Sequence, residues 1–449
     1  MSSSSSGQRG TGDTREPSRR WLADEPLQLL PLYSNPPRPT ATKPKRSIPD
    51  DHPTLILRAG GVDTAIGEAI GAIGAAAALI VNLTEQPATL VRVRGVAAKQ
   101  GLAMIGDPVL HRMALPGYAA TAGLRRLRYR PRDGGGPWSA SELHEQANEI
   151  ARAVIEEQQL AQAGALLGAS VAVTAPTDPH MRALPALLDS SLAARDAWGE
   201  SLPLIAPLIL KLRGFEDGQA QRVLAQAVGD LSPEAWLLLL DGLTMRSPPA
   251  QLLATVALVQ GIGSKGRPVL IGRAGPLRRL WLALGIGVEV ALGRLERFQL
   301  EDHSRRGGPG NNPPRWELPE LLCSLPQALA AKLMASGLLA ACSCPVCSAV
   351  ESIQERLARA ALHNATVIQQ DSDEVQGRRP SERLERLEVR LRDAWSLSYE
   401  LESRGFALSR HITHLRSWPE TIAALREAGL VSDAATPQLR LETGGLALG

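Results

Sequence analysis

PVLIGRAGPLRRLWLALGIGVEVALG, residues 268–293, holds two short apolar runs, 268–275 and 288–293, either side of an Ala/Leu-rich segment with helical spacing. Runs this short and continuously apolar belong to strands buried on both faces, and a helix between two of them makes a parallel crossover unit. Six more runs of the same kind lie upstream: TLILRAG (54–60), AALIVNLT (77–84), LAMIGDP (102–108), SVAVTAP (170–176), APLILKLRG (206–214) and WLLLLDG (236–242). Eight strands alternating with helices predict a (β/α)8 TIM barrel over residues 51–300, with its active site at the C-terminal ends of the strands. A doubly wound open sheet is the alternative.

The flanks differ in texture. Residues 1–50 are rich in Ser, Pro, Arg and Thr and lack apolar periodicity, which predicts a disordered, mildly basic tail. The stretch EDHSRRGGPGNNPPRWE (301–317) is a Gly/Pro/Asn-rich break, after which helices are expected around 318–340 and 348–362. A charged helix over 381–403 is either a coiled-coil seam or a solvated face. The domains expected are therefore the tail 1–50, the barrel 51–300, a metal-binding subdomain 301–372 and a helical extension 373–449.

With 449 residues, 44% hydrophobic, the chain can bury a large core, and no run of eighteen apolar residues or signal-peptide core interrupts it. A reducing, cytoplasmic location is the expectation, where clustered cysteines serve as metal ligands or redox groups. The net charge of +3 does not demand a nucleic-acid partner. LRRLRYRPR, however, sets Arg125, Arg126, Arg128, Arg130 and Arg132 around Tyr129, a cationic stripe fit for a phosphate backbone or simply solvated. It falls in a connection of about sixty residues between the third and fourth runs, far beyond the usual loop length and so an insertion on the active-site face.

Three of the four cysteines fall within ACSCPVCSAV (341–350). Cys342, Cys344 and Cys347 form C-x-C-x2-C, and His363 follows sixteen residues after the last of them. Three thiolates and an imidazole make a closed tetrahedral zinc site, structural because no position is left for water. Unliganded thiols or a redox pair is the other reading. Cys323 stands apart as a buried free thiol.

C-x-C-P-x-C followed by His-Asn, after eight strand-like runs, resembles the tRNA-guanine transglycosylase (queuine tRNA-ribosyltransferase) superfamily. NLT (82–84), MIGDP (104–108), LLLLDGLTM (237–245) and VLIGRAGPLRRLWLALGIGVEVALG (269–293) are similar, in order, to that family's active-site strands. The resemblance implies a TIM barrel with a C-terminal Cys3His zinc subdomain, and exchange of guanine for a 7-deazaguanine base in a polynucleotide. Two features depart from the pattern. The Cys347-to-His363 spacing is about ten residues shorter than the family's. The family's nucleophilic aspartate position falls on Leu292, or on Val290 in a shifted register, with Glu289 at the non-nucleophilic acid.

Base exchange needs one carboxylate to attack C1′ and a second acid for the proton on the base. The strand-end acids are Asp107, Asp178, Asp241 and Glu289, of which Asp107, as nucleophile, and Asp241 are the expected catalytic pair. Asn82, Gly242 and Glu289 are expected to meet the base, with Lys211, Arg213 and Arg273 near it. The departures resemble the DNA-modifying 7-deazaguanine transglycosylases, so DNA is favoured over tRNA. A non-catalytic nucleic-acid-binding paralogue or partner subunit is the competing class, in a homo- or hetero-oligomer.

Overall fold

The computed structural model describes residues 52–441 apart from 60–65, 116–122, 132–135, 199–201, 292–297, 299, 301–314, 340–341, 435 and 440. The expected tail 1–50, Arg132, Leu292 and most of the 301–317 break lie outside the described residues.

Alternation of side chains along each strand sorts the apolar residues into two cores. The strands are β1 (Leu55–Ala59), β2 (Ala76–Asn82), β3 (Ala103–Asp107), β4 (Leu166–Leu167), β5 (Ala172–Val173), β6 (Leu204–Lys211), β7 (Ala235–Asp241), β8 (Val269–Ile271) and β9 (Gly287–Ala291). Every pairing among them is parallel, in the order β3-β2-β1-β9-β8-β7-β6-β4, with β5 also on β6. A single bridge, Ile105 to Ala165, joins the two ends, so the sheet is a nearly closed barrel of eight strand positions. Ile56, Ala78, Ile80, Ala103, Ile105, Ile205, Leu237, Leu239 and Leu270 fill its interior. Their neighbours in sequence, among them Leu57, Leu79, Met104, Leu208, Leu238, Ile271 and Val288, face the surrounding helices.

The fourth position corrects the expectation of one strand over 170–176. It is filled by two pieces, β4 and β5, because Pro207 sits in the facing strand β6 and has no N–H to give. Leu167 pairs with Ile205 but Ala172 with Ile209, which leaves one extra residue on this side, a bulge. Within it the Ser170 hydroxyl donates to the Pro207 carbonyl at 2.7 Å.

The helices around the barrel are α1 (Ile66–Gly71), α2 (Pro87–Gln100), α3 (Leu110–Met113), α4 (Ala140–Glu145), α5 (Ala147–Leu160), α6 (His180–Ala197), α7 (Gly218–Val228), α8 (Pro249–Gly263) and α9 (Arg278–Ala283). Local signals start several of them. Asp217 caps α7 by accepting from Gln219 and Ala220, Ser139 and Glu142 make a capping box at α4, and proline opens α2 and α8.

The C-terminal part begins with an antiparallel hairpin, β10 (Arg315–Leu318) and β11 (Cys323–Pro326), where a helix was expected from 318. Pro319 and Pro326 interrupt that stretch, and Leu322 turns it in the left-handed region at φ 53°. The helices α10 (Gln327–Ala335), α11 (Pro345–Ser348), α12 (Ile353–Ala358), α13 (Ala360–Asp373), α14 (Pro380–Ser403) and α15 (His414–Glu427) follow. The helix expected over 348–362 is divided among α11, α12 and α13, Ser352 capping α12 from its side chain. On α14, the charged helix, Leu384, Leu387, Leu391, Ala394, Ser398 and Leu401 form one buried stripe.

The barrel floor is closed by chain from the far C-terminus. Gln438 accepts from the Thr54 backbone N–H at 2.8 Å, and Leu439 inserts among the interior residues. Among the described residues no helix is long and apolar enough to cross a membrane.

Candidate functional site

At the C-terminal mouth of the barrel the inward positions change from apolar to charged or polar. Two residues beyond the interior residues Ile56, Ile80, Ile105, Ile209 and Leu239 stand Arg58, Asn82, Asp107, Lys211 and Asp241, and Glu289 faces inward on β9. Gly272 makes room for Glu289, since a Cβ there would overlap Leu239 and come within 3.0 Å of Glu289 Oε2.

Arg58 organises one half of this ring. Its Nη1 donates to Asp107 Oδ2 at 2.6 Å and to Asn82 Oδ1 at 2.9 Å, Nε donates to Glu289 Oε1, and Nη2 reaches Glu289 Oε2 at 3.3 Å. Arg273 Nε lies 3.5 Å from Glu289 Oε1. Arg58, Asp107 and Glu289 are all buried, at 3%, 5% and 0% exposed. Burial alone would raise the Asp107 carboxyl, but the Arg58 charge, the approach of His111 and the hydrogen bonds from Arg58 and the Val109 N–H hold it down at about 2. Asp107 is therefore ionised at neutral pH. His111 moves the other way: burial first, and then the charges of Arg112, Arg58 and Arg273, push it down to about 3 despite Asp107, so its imidazole is neutral. Phe298 covers that ring at 5.6 Å.

The backbone around these groups is strained. Val109, which donates its N–H to Asp107 Oδ1 at 2.8 Å, has φ 46°, and Arg273 has φ 54°. A β-branched residue in the left-handed region persists only where surrounding contacts over-determine it.

The acids that the structure brings onto one cation are Asp107 and Glu289, rather than the expected pair Asp107 and Asp241. Asp241 stands half-exposed in the opposite half of the ring, in register with Lys211 on β6. Gly242 follows it with φ 96° and open space around it. Val290 belongs to the outer core and does not face the mouth. Asp178 caps the turn into α6, accepting from Thr174 and His180.

The arginine stripe does not stay together. Tyr129 is fully buried, its hydroxyl donating to the Pro108 carbonyl at 2.9 Å. Arg126 donates to the carbonyls of Thr84 and Glu85, and Arg128 pairs with Glu156 at 2.8 Å. Arg125 is exposed and Arg130 half-buried.

The cysteine cluster forms as the spacing predicts. Ligand atoms of Cys342, Cys344, Cys347 and His363 all lie within 4.8 Å of one another, an arrangement compatible with a metal ion such as zinc. His363 Nδ1 is 3.8, 3.4 and 3.5 Å from the three sulfurs in turn. A tetrahedral zinc with ligands at about 2.3 and 2.1 Å would set sulfur-to-nitrogen separations of about 3.6 Å. Mutual hydrogen bonding with Cys342 drives the Cys344 thiol down and the Cys347 thiol up, because these donors cannot all lose protons without a cation among them. His363 Nε2 donates to the Glu317 carbonyl at 2.8 Å, which turns Nδ1 toward the sulfurs, and its ring stacks on Trp316 at 3.8 Å. Asn364 clamps the same strand, accepting from Glu317 N and donating to Arg315 O. Cys323 is buried elsewhere, its thiol pushed up to about 12 by burial.

A second buried ionic knot joins this centre to the barrel. Arg278 and Arg279 of α9 meet Glu317 of β10 and Asp371 of α13, with Arg278 Nη2 2.6 Å from Asp371 Oδ2 and Arg279 Nη2 3.1 Å from Glu317 Oε2.

Arg58 and His111 are the mouth residues that sequence reasoning missed. The signal for Arg58 was present: a lone charge inside the otherwise apolar run TLILRAG has to find partners in the core.

The chain matches no family model, and no curated protein matches it.

Proposed function

We propose that the protein is a TIM-barrel transglycosylase that exchanges guanine for a 7-deazaguanine base in a polynucleotide, DNA in preference to tRNA. The observation that supports this best is the pair of acids, Asp107 and Glu289, sharing Arg58 at the mouth of a parallel barrel. The target nucleotide has to be extruded or single-stranded for C1′ to reach them. Asp107, ionised and fixed by Val109 N–H, attacks C1′; the C1′–N9 bond breaks and its electron pair leaves with guanine, which takes up a proton. The incoming base then attacks C1′, loses the equivalent proton, and frees the Asp107 carboxylate. Glu289 handles the proton. Arg58 acts as a positioning residue, keeping the carboxylate ionised and oriented in both steps. Asp241, Gly242, Asn82 and Lys211 line the rest of the ring, where base edges or phosphates would lie. Zinc on Cys342, Cys344, Cys347 and His363 would supply structure and no step of the reaction.

The competing reading is a non-catalytic paralogue or partner subunit that binds nucleic acid. It is favoured by the occupation of both Asp107 oxygens, by Arg58 and by Val109 N–H. Incubation with radiolabelled guanine and, separately, plasmid DNA and bulk tRNA distinguishes the two. Label is expected in DNA with the wild type and not with Asp107→Asn. Binding without label in either polymer would overturn the transglycosylase in favour of the paralogue.

A further inference from the structure

Cations from three distant parts of the chain come within electrostatic reach of one another where α15 packs beside α8. Arg246 is exposed in the loop that follows β7, on the same end of the barrel as Asp241. Arg315 opens β10, its guanidinium braced by Ser324 Oγ at 3.0 Å. Arg410 and His411 lie in the turn before α15, which is docked on the hairpin by His414 Nε2 at 3.2 Å from the Leu321 carbonyl. His411 is held below its ordinary value by burial and then by the charges of Arg315, Arg246 and Arg410 together. Around this turn the segment RGFALSRHITHLR, 404–416, carries three arginines and two histidines and no acid. Like charges gathered this way raise each other's energy, and an anion seated among them relieves it.

The neighbouring surface adds a second kind of group. Arg416 lies over the Trp395 ring at 5.1 Å, and one turn along α14 stands Tyr399. Both rings are open to solvent, 40% and 75% exposed. Guanidinium groups beside exposed aromatic rings match the alternating phosphates and bases of a single strand.

We propose that Arg246, Arg315, Arg410 and His411 hold backbone phosphates of a single-stranded polynucleotide, with Trp395 and Tyr399 stacking on its bases, and that this surface leads the strand to the barrel mouth. The proposal deepens the transglycosylase reading and rests on its polynucleotide substrate. The test is fluorescence anisotropy of a labelled twenty-nucleotide oligo-dT titrated with the full chain across a salt series. Arg246→Ala/Arg410→Ala should weaken binding at least tenfold and lower the slope of log affinity against log salt by about 1.4, at about 0.7 per lost contact. The double lysine variant should keep the slope, and Tyr399→Ala should lose about tenfold with the slope unchanged. If both alanine variants bind like the wild type, the surface is not the path, while the polynucleotide reading stands. If the wild type binds no oligonucleotide but does bind anionic lipid vesicles, both fall.

Discussion

Two buried ionic clusters of similar composition do different jobs in this molecule. At the junction with the C-terminal part, Arg278 and Arg279 face Glu317 and Asp371, and Arg390 lies 3.5 Å from Asp371. At the mouth, Arg58 holds both Asp107 and Glu289, and the half-buried Arg273 lies 3.5 Å from Glu289. The junction is the closed cluster, its four principal groups buried among α9, β10 and α13. The mouth lies at the strand ends of the barrel, where one guanidinium holds both acids and the backbone at Val109 and Arg273 is strained. A buried ion pair is weak grounds for assigning function; its place at the strand ends and the backbone around it separate the two cases.

The largest effect expected tests the closed half of the comparison. One zinc per chain should be found by elemental analysis, and chelation or Cys347→Ser should unfold the C-terminal helices, since structural zinc contributes on the order of 10 kcal/mol to folding. An unchanged melting curve after complete metal removal would break the comparison.

Next in size, Asp371→Ala should cost about 3–5 kcal/mol in urea unfolding because it leaves two buried guanidinium groups to share Glu317. Arg58→Met should cost a similar amount at pH 7 and progressively less as pH falls and the stranded Asp107 takes up a proton. Equal pH dependence in the two variants would show that the mouth is as closed as the junction.

Smaller still is the contribution of Asp107 itself. Its carboxyl is depressed from 3.8 to about 2, so it stabilises the fold above the ordinary value, and that stability is lost as pH falls through about 2. Asp107→Asn should therefore lose roughly 2 kcal/mol at pH 7, with the deficit closing between about pH 4 and 2. A deficit that stays constant over that range would mean the ion pair is not its source.

Glu157 supplies the control with opposite sign. It is a buried acid that accepts from the Arg128 backbone N–H, and burial raises it from 4.5 to about 7. Its neutral form contributes stability fully below pH 4.5, and that stability disappears as pH rises through 7. Glu157→Gln should be indistinguishable from the wild type near pH 4 and more stable by roughly 1–3 kcal/mol at pH 8. A loss of stability at pH 8 would show that the charged form is the one that the fold selects.

What was legible in the sequence follows the same physics. Seven of the eight strand positions stood out because a strand buried on both faces has to be continuously apolar, and the cysteine cluster because metal ligation fixes its spacing. The fourth strand was misplaced because its bulge answers Pro207, forty residues away. The β10–β11 hairpin was missed because WELPELLCSLP satisfies helical and alternating spacing almost equally. The mouth was half legible. Acids at strand ends announce themselves, but which of them meet depends on Arg58, whose reach to β3 and β9 is a property of the closed sheet.

The floor of the barrel has a consequence for the order of manufacture. Thr54 is held by Gln438 and Leu439, separated from it by 384 and 385 residues. Its neighbour Leu55 pairs with Val288 on β9. A ribosome thus releases the first strand long before either of its last neighbours exists. The opening strand has to wait through nearly the whole of synthesis, and a truncation ending before residue 436 would leave it waiting permanently.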